Sequence, residues 1–274
     1  MFRGPLFAID DWHCDGHDTP HGHDEWCADD RIVVTRHGTW ELACSGSTQL
    51  CDPTSVTFWS REAPYRVRHP IGGRDACTVF RLTTEGRHTL RQALHVRRRN
   101  QRPTFPVRSR RLDGPTHLLH RQALVAARAL GDALAVEEAA LGFLHRVSDG
   151  AELVHQRGSR QVVDRALDFI GAHFREAISV AQVARFAGAS PFHLSRLFSR
   201  DVGTTLHKRV TALRLREAME RLVEGEDSER LSGVALDLGF ASHAHFTDAF
   251  RAEYGCSPSE ARRRLRPGAS PRSA

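Results

Sequence analysis

The sequence predicts an α+β protein of two domains, with a β-barrel or jelly roll and a helical pair preceding an all-α domain. Three patterns support this prediction: five short strand-like segments between residues 31 and 82, helical spacing of apolar residues beyond residue 117, and one helical motif that occurs twice. A chain of 274 residues is long enough to give each of two domains its own core. The C-terminal all-α domain is expected to hold seven helices and two helix-turn-helix motifs.

The strand-like segments are rich in Val, Ile, Thr and aromatic residues and are separated by turn residues. They cover residues 31–36, 39–43, 55–60, 65–69 and 76–82. Short strands at this spacing are typical of a small sandwich or jelly-roll barrel.

The remainder of the N-terminal half is expected to be a connection followed by helices. Residues 87–111 are basic and interrupted by Pro103 and Pro106, whereas 117–130 and 133–147 have helical apolar spacing. We therefore expect an antiparallel helix pair. The predicted boundaries are 1–110 for the barrel, 111–150 for the helical hairpin, 151–159 for a linker, 160–268 for the all-α domain and 269–274 for a tail.

Two stretches of the all-α domain match each other at an offset of 52 residues. The matched pairs are Ser190 with Ser242, Leu194 with Phe246, Phe198 with Phe250, and Gly203 with Gly255. In each copy a serine can cap a helix, apolar residues follow at i+4 and i+8, and a glycine can end the helix. A short helical pattern and a turn glycine, Gly188 or Gly239, precede each copy. Two such helix-turn-helix units predict a protein that contacts two successive turns of DNA.

An amphipathic helix over residues 204–225 is expected to connect the two units. About 20 residues at roughly 1.5 Å each give a length of roughly 30 Å, close to the roughly 34 Å between successive major-groove faces. Possible capping boxes, Ser179 with Gln182 and Ser257 with Glu260, mark the start of two further helices.

Helical rotation predicts which side chains of the two marked helices can reach DNA. If the matched apolar residues face the core, the residues turned away from it can contact bases or phosphates. These candidates are Phe192, His193, Ser195, Arg196, Ser199, Arg200, Ser242, His243, His245, Thr247, Asp248 and Arg251. Arg196 can pair with guanine and Phe192 can pack on a thymine methyl. Asp248 either accepts from a cytosine amine or is held by a neighbouring arginine; the alternative for each candidate is a solvated helix face.

The motifs of the last hundred residues resemble the AraC/XylS family of transcription regulators. They are VA at 183–184, SPFHLSRLF at 190–198, Gly203, RLREA at 214–218, VA at 234–235, LGFAS at 238–242, HFTDAFR at 245–251 and YGCSPS at 254–259. The resemblance implies that the residues after each capping serine enter adjacent major grooves. Members of the family often have a basic or hydroxyl residue at the position of Asp248, which implies weaker docking or discrimination by the second helix. Phosphate contacts are expected from Arg262, Arg263, Arg264 and Arg266 or, alternatively, these residues form a solvated tail.

The N-terminal half resembles the cupin-like sensor domains that precede this module in many members of the family. The similarity lies in PYRVRHP at 64–70, Gly72 and Gly73, and DACT at 75–78. It implies a regulator, not an enzyme, that is controlled by a small molecule, a metal or a redox signal. Its expected partners are double-stranded DNA, a second copy of the chain through the helix pair, and RNA polymerase if it activates transcription.

Composition is compatible with a DNA-binding protein. The net charge is +6 and the pI about 9.4, which favours polyanionic partners, although such a charge also fits an ordinary soluble surface. No apolar run approaches the roughly 18 residues of a membrane span. The acidic, histidine-rich N-terminus does not resemble a signal peptide, so we expect a cytoplasmic protein with no membrane partner.

Cysteines and histidines near the N-terminus form a candidate metal site. Six cysteines occur without a C-x-x-C pair, which disfavours a zinc ribbon. The candidate ligands are His13, Cys14, His17, His21, His23 and Cys27, joined by His69 or Cys77 from the barrel. Such ligands could hold zinc, copper or iron or sense redox state; the alternative is buried or incidental residues.

Two other classes of protein are alternatives to an effector-controlled regulator. One is a cupin-type metalloenzyme or a DNA-repair protein fused to a DNA-binding module. The sequence lacks a complete ligand set for the first and a close zinc–cysteine cluster for the second. The other is an interaction protein that signals through dimerisation without an effector pocket.

Overall fold

The computed structural model describes residues 1–15, 25–44, 47–69, 74–93, 105, 109–129, 133–148, 160–225 and 230–265. The chain divides into two compact units, Met1–His155 and Gln156–Ala274. The predicted mixture of helix and sheet is confirmed. The predicted linker 151–159, the tail 269–274, and His17, His21, His23 and Arg266 lie outside the described residues.

Two antiparallel sheets form the N-terminal unit. The larger has the strand order β1-β2-β9-β4-β7-β10, and the smaller has the order β3-β8-β5-β6. The strands are β1 Phe2–Arg3, β2 Phe7–Cys14, β3 Glu25–Trp26, β4 Asp30–His37, β5 Trp40–Cys44, β6 Ser47–Cys51, β7 Ser55–Trp59, β8 Pro64–Arg68, β9 Asp75–Leu82 and β10 Ser109–Arg111. The helices of this unit are α1 Thr84–Ala93, α2 Gly114–Arg128 and α3 Ala133–Ser148.

The central strand β4 of the larger sheet is buried on both faces, and its side chains alternate between two cores. Ile32 and Val34 of β4 belong to the core that includes residues of α2 and α3, whereas Val33 belongs to the core between the two sheets. On the helical side, the rings of Phe80 and Phe143 lie 5.0 Å apart. Burial on both faces explains why Ile32, Val33 and Val34 follow one another in β4 instead of alternating with polar residues.

Two elements of this unit differ from the sequence predictions. The strand-like segments that we expected begin at residue 31, whereas β2 lies before them and pairs with β9 over its whole length. The expected connection at 87–111 contains most of α1 and the edge strand β10. In β2 the acidic residues are compatible with a strand because Asp10 pairs with Arg3 and Arg81, at 2.6 and 2.7 Å.

The C-terminal unit is helical throughout its described part. Its helices are α4 Arg160–His173, α5 Val180–Ala187, α6 Pro191–Val202, α7 Leu206–Glu224, α8 Leu231–Asp237, α9 His243–Tyr254 and α10 Pro258–Leu265. The matched apolar residues of α6 and α9 are all buried. Of the described helices, none has both the length and the apolar character needed to cross a membrane.

Local signals in the sequence fix the ends of these helices. The Ser179 capping box of α5 is confirmed, with its side chain accepting from the backbone of Gln182 and the Gln182 side chain accepting from the backbone of Ser179. Ser190 caps α6 and Ser242 caps α9, and each helix ends at a glycine with φ of 71°. Only glycine adopts this left-handed conformation without strain.

Candidate nucleic-acid interface

The predicted DNA-facing side of α6 is exposed. Leu194, Leu197 and Phe198 are buried, while the six candidates on this helix point to solvent and Phe192 is 82% exposed. Within the described part of the chain, no hydrogen bond or ion pair engages the guanidinium of Arg196. Helix α6 therefore presents Arg196, which has no hydrogen-bond or ion-pair partner among the described residues, and the exposed ring of Phe192 four residues before it.

Arg200 differs from Arg196 because an acidic neighbour already occupies its guanidinium. Its Nε and Nη2 donate to the two carboxylate oxygens of Asp201, at 2.5 and 3.0 Å. These hydrogen bonds raise the pKa of Arg200, so it stays charged. A phosphate would have to share or displace this carboxylate, which makes Arg200 a weaker candidate than Arg196.

The second marked helix, α9, presents a more mixed surface. His243, His245, Asp248 and Arg251 are exposed, whereas Thr247 is half-buried and its hydroxyl oxygen has no hydrogen-bond partner among the described residues. The structure therefore places Thr247 closer to the core than the helical rotation predicts.

The position of Ser242 is set by the helix itself. Its hydroxyl accepts a hydrogen bond from the backbone N–H of His245 at 3.1 Å, so its first role is capping. The His245 ring stands edge-on to Phe240 in the preceding turn, with the ring centroids 5.6 Å apart. Asp248 is exposed and has no arginine partner in the described ranges.

Two arginines of α7 hold the helices of this unit together. Arg214 donates to three backbone carbonyls, those of Phe174 at 2.6 Å, Glu176 at 2.7 Å and Gly239 at 2.6 Å. It thus links the end of α4 to the turn of the second helix-turn-helix motif. Burial lowers the pKa of Arg214 because desolvation disfavours its charged form.

The other arginine, Arg216, lies fully buried beneath α9. Its guanidinium donates to the hydroxyl of Tyr254 at 2.7 Å and to a carboxylate oxygen of Glu253 at 3.0 Å. Burial raises the pKa of Tyr254 to about 12, so the tyrosine is neutral. The sequence pattern of α7 does not identify either arginine as a structural residue, since an arginine in an amphipathic helix is ordinarily assigned to the solvated face.

The last helix adds positive charge at the end of the described chain. Arg263 and Arg264 are exposed, and Arg262 is half-buried. The predicted capping box is present, with Glu260 accepting from the backbone and hydroxyl of Ser257 at 2.7 and 2.9 Å. Those hydrogen bonds lower the pKa of Glu260.

A separate cavity lies between the two sheets of the N-terminal unit. Its volume is about 310 Å³, and tryptophan and tyrosine side chains form much of its wall. Cys14, His69 and Asp75 line it and bring one possible metal-binding atom each to within 4.8 Å of the others.

The other described metal candidates do not join this group of three. His13 faces the opposite side of β2, where its Nε2 lies 3.0 Å from a carboxylate oxygen of Asp11. The thiol of Cys27 donates to the backbone carbonyl of Asp29 at 3.0 Å. Cys77 lines the same cavity, and burial raises the pKa of its thiol to about 12. Asp75 was not among the predicted ligands.

Comparisons with known proteins agree with the geometry of the C-terminal unit. A family model described as a helix-turn-helix domain matches residues 183–264. Regulatory protein SoxS of Salmonella typhimurium is 30% identical over 107 residues, which are 39% of this chain and 97% of SoxS. A probable thc operon regulatory protein of Rhodococcus erythropolis is 32% identical over 100 residues, 36% of this chain and 30% of that protein. The chain therefore spans less than a third of the length of this second relative.

One solved structure is also similar in sequence to part of this chain. The crystal structure of a transcriptional regulator with an AraC-type DNA-binding domain, from Chromobacterium violaceum, is 31% identical and covers 40% of this chain and 98% of its own, with a TM-score of 0.36.

Proposed function

Since the chain belongs to the AraC/XylS family of DNA-binding transcriptional regulators, we propose that α6 and α9 bind two successive major-groove segments of a specific operator. One observation supports this proposal above the others: two matched helices, each capped by a serine and ended by a left-handed glycine, both have exposed polar faces. They are joined by α7, whose 19 residues give a length of about 28 Å.

In this proposal α6 makes the stronger sequence-specific contacts. Arg196 donates two hydrogen bonds to a guanine, and the exposed ring of Phe192 packs on a neighbouring thymine methyl. His193, Ser195 and Ser199 contact adjacent bases or phosphates, and Arg200 contacts a phosphate only where it is released from Asp201.

In α9 the expected readers are His243, His245, Asp248 and Arg251. The carboxylate of Asp248 is repelled by phosphates and can accept a hydrogen bond from the exocyclic amine of a cytosine. The guanidinium of Arg251 can donate hydrogen bonds to a phosphate or to a guanine. Ser242 caps α9 and Thr247 is half-buried, so both residues contribute less to DNA binding. We therefore expect α9 to contribute less affinity than α6.

The N-terminal unit is proposed as a cupin-like sensor that controls this DNA binding. The supporting observation is the cavity between its two sheets, since its aromatic walls and few polar groups are typical of a small-molecule site. Its volume is at the lower end of the usual range of roughly 300–1,000 Å³ for ligand pockets. We propose a cytoplasmic regulator with an effector in this cavity and no catalytic activity.

Dimerisation is proposed through the helix pair of the same unit. Leu134 and Leu141 of α3 are exposed and, seven residues apart, fall on one face of that helix. If a second copy covers this face, the double variant L134E/L141E is expected to sediment as a monomer where the unaltered chain sediments as a dimer. Sedimentation velocity at equal concentrations tests this, and an unchanged sedimentation coefficient would contradict it. RNA polymerase is a further partner if the protein activates transcription.

The test of the proposed function starts from an operator selected with the protein itself. A library of random double-stranded DNA is enriched on the full-length chain, and affinities are then measured for the selected site, for each single-base variant of it and for scrambled DNA. The proposal expects a site with two conserved blocks about one helical turn apart. Equal affinity for selected and scrambled DNA would refute sequence-specific binding.

Arg196→Ala is expected to weaken binding to the selected operator by about 1–3 kcal/mol and to remove the preference at one base position. The reason is the loss of two hydrogen bonds to one base edge, with no change in the rest of the interface. Affinities for the full set of single-base variants measure both effects in one experiment.

Arg263→Ala is the matched control, since Arg263 is also an exposed arginine but lies on α10. It is expected to weaken binding equally for operator and scrambled DNA. The slope of the logarithm of affinity against the logarithm of salt concentration should become shallower by about one, which corresponds to one released counterion. If Arg196→Ala gives that same uniform loss, α6 is not the helix that reads sequence.

A further inference from the structure

The cavity of the N-terminal unit contains a cluster of groups that the DNA-binding function leaves unexplained. Cys14 ends β2, Asp75 begins β9, and His69 follows the last residue of β8. Among the residues that the structure describes, this is the one group of three whose ligand atoms all lie within 4.8 Å of one another. We propose that Cys14, His69 and Asp75 bind a divalent transition-metal ion of the zinc class.

The backbone of the two sheets brings these three side chains together. Cys14 and Asp75 are direct partners in the antiparallel register of β2 and β9, so their side chains leave the same face of the larger sheet. His69 comes from the end of a strand in the smaller sheet. The proposed metal would therefore connect the two sheets where the cavity lies between them.

The distances are close to those of zinc coordination. Nε2 of His69 lies 3.2 Å from a carboxylate oxygen of Asp75. Two such ligands at about 2.0–2.1 Å from a tetrahedral zinc ion are roughly 3.3 Å apart. With a Zn–S distance of about 2.3 Å, a thiolate in a tetrahedral site lies roughly 3.6 Å from the other ligand atoms. The Cys14 sulfur lies within 4.8 Å of both, so it would need to move inward by at most on the order of 1 Å.

Burial makes an ordinary His–Asp pair an incomplete explanation of the cluster. His69 is 7% exposed and Asp75 is 6% exposed. Within the described residues, the second carboxylate oxygen of Asp75 is buried without a hydrogen-bond partner. Buried polar atoms in this state are uncommon and unfavourable. A cation would neutralise the carboxylate and use lone pairs of Asp75 that the contact with His69 leaves unused.

The types of ligand favour zinc over other common metals. Magnesium and calcium prefer sites composed only of oxygen atoms, whereas thiolate, imidazole and carboxylate are all ligands of zinc. Three protein ligands leave a fourth position, as in sites that bind water or a small molecule. The three ligands line a cavity whose wall also includes Trp40, Trp59 and Tyr65. A regulatory role of the metal depends on the function proposed above; metal binding does not.

Titration of the full-length, metal-free chain with Co²⁺ and Zn²⁺ tests the site directly. We expect one equivalent of metal per chain and a Co²⁺ complex with thiolate-to-cobalt charge-transfer absorption. Cys14→Ser should abolish that absorption and weaken Zn²⁺ binding, measured by competition with a chromophoric chelator, by at least about 100-fold, since even changes outside the ligand shell cost 10–100-fold. His69→Gln and Asp75→Asn should weaken Zn²⁺ binding in the same assay.

Cys44→Ser is the matched control, because Cys44 is also a half-buried cysteine of the same unit that forms no disulfide, and it does not line the cavity. It should bind Zn²⁺ as the unaltered chain does. Absence of stoichiometric metal, or equal Zn²⁺ affinity for Cys14→Ser and Cys44→Ser, would overturn the proposal.

A second measurement needs no variant and so does not depend on the folding of one. In the unaltered chain, Zn²⁺ should slow alkylation of Cys14 by iodoacetamide while leaving Cys44 unaffected, as followed by peptide mass spectrometry. Equal rates at Cys14 with and without Zn²⁺ would also overturn the proposal. Affinity for the selected operator, measured in parallel, distinguishes loss of the metal site from loss of the proposed DNA-binding function.

Discussion

Arg216→Met is expected to lower the free energy of unfolding of the helical unit by about 1.5–3 kcal/mol, the contribution of hydrogen bonds that involve a charged group. The arginine is fully buried and donates to Tyr254 and Glu253, at 2.7 and 3.0 Å. Methionine fills a similar volume, but it leaves the carboxylate of Glu253, at the margin of the core, without the arginine that pairs with it. Urea unfolding followed by far-ultraviolet circular dichroism measures the change as a shift of the helical transition.

Two comparisons show whether the lost charge pair causes the effect. Arg221 lies on the same helix and pairs near the surface with Asp237 at 3.2 Å, so Arg221→Met should cost less than about 1 kcal/mol. The double variant R216M/E253Q should recover part of the loss, since it removes both charges. If the double variant is as unstable as Arg216→Met alone, the loss of stability comes from packing and not from the lost charge pair.

Gly239→Ala is expected to destabilise the helical unit by about 3–4 kcal/mol, far more than the same change at Gly188. Both glycines have left-handed backbones, with φ of 76° and 74°, so each alanine costs about 1–2 kcal/mol in strain. At Gly239 an added Cβ would lie 2.6 Å from the backbone oxygen of Arg175. At Gly188 the nearest atom is 3.7 Å away, at the end of the Arg165 side chain.

Urea unfolding of both alanine variants is the measurement, and Gly188→Ala serves as the control for backbone strain alone. Equal losses at the two positions would mean that the contact with Arg175 relaxes at little cost. Because the carbonyl of Gly239 accepts from Arg214, we also expect Gly239→Ala to weaken operator binding at positions contacted by α9 more than at those contacted by α6.

The local signals of the C-terminal unit could be predicted from its sequence. Ser190 and Gly203 fix the two ends of α6 through hydrogen bonds and backbone conformation that involve only neighbouring residues. The same pattern at Ser242 and Gly255 makes the prediction stronger, because a repeat gives two independent instances of each signal.

Features that depend on distant residues could not be predicted in the same way. The strand β2 has acidic residues at two successive positions, and Asp11 is compatible with the sheet because Arg36 and Arg128 pair with it from other elements. Likewise, the sequence contains Cys14 and His69 as candidates but gives no sign that Asp75 faces Cys14 across a strand pair. The register of the sheet supplies that information.

The three carbonyl contacts of Arg214 have a consequence for the operator itself. In the proposed function α7 joins the two motifs as one continuous helix, and Arg214 bonds it to the backbone after α4 and to the turn before α9. We therefore expect the distance between α6 and α9 to be constant. Adding one base pair between the two recognised blocks turns the second block by about 35° around the duplex. A rigid connector cannot follow that rotation, so we expect the length of the operator's spacer to determine specificity together with its bases.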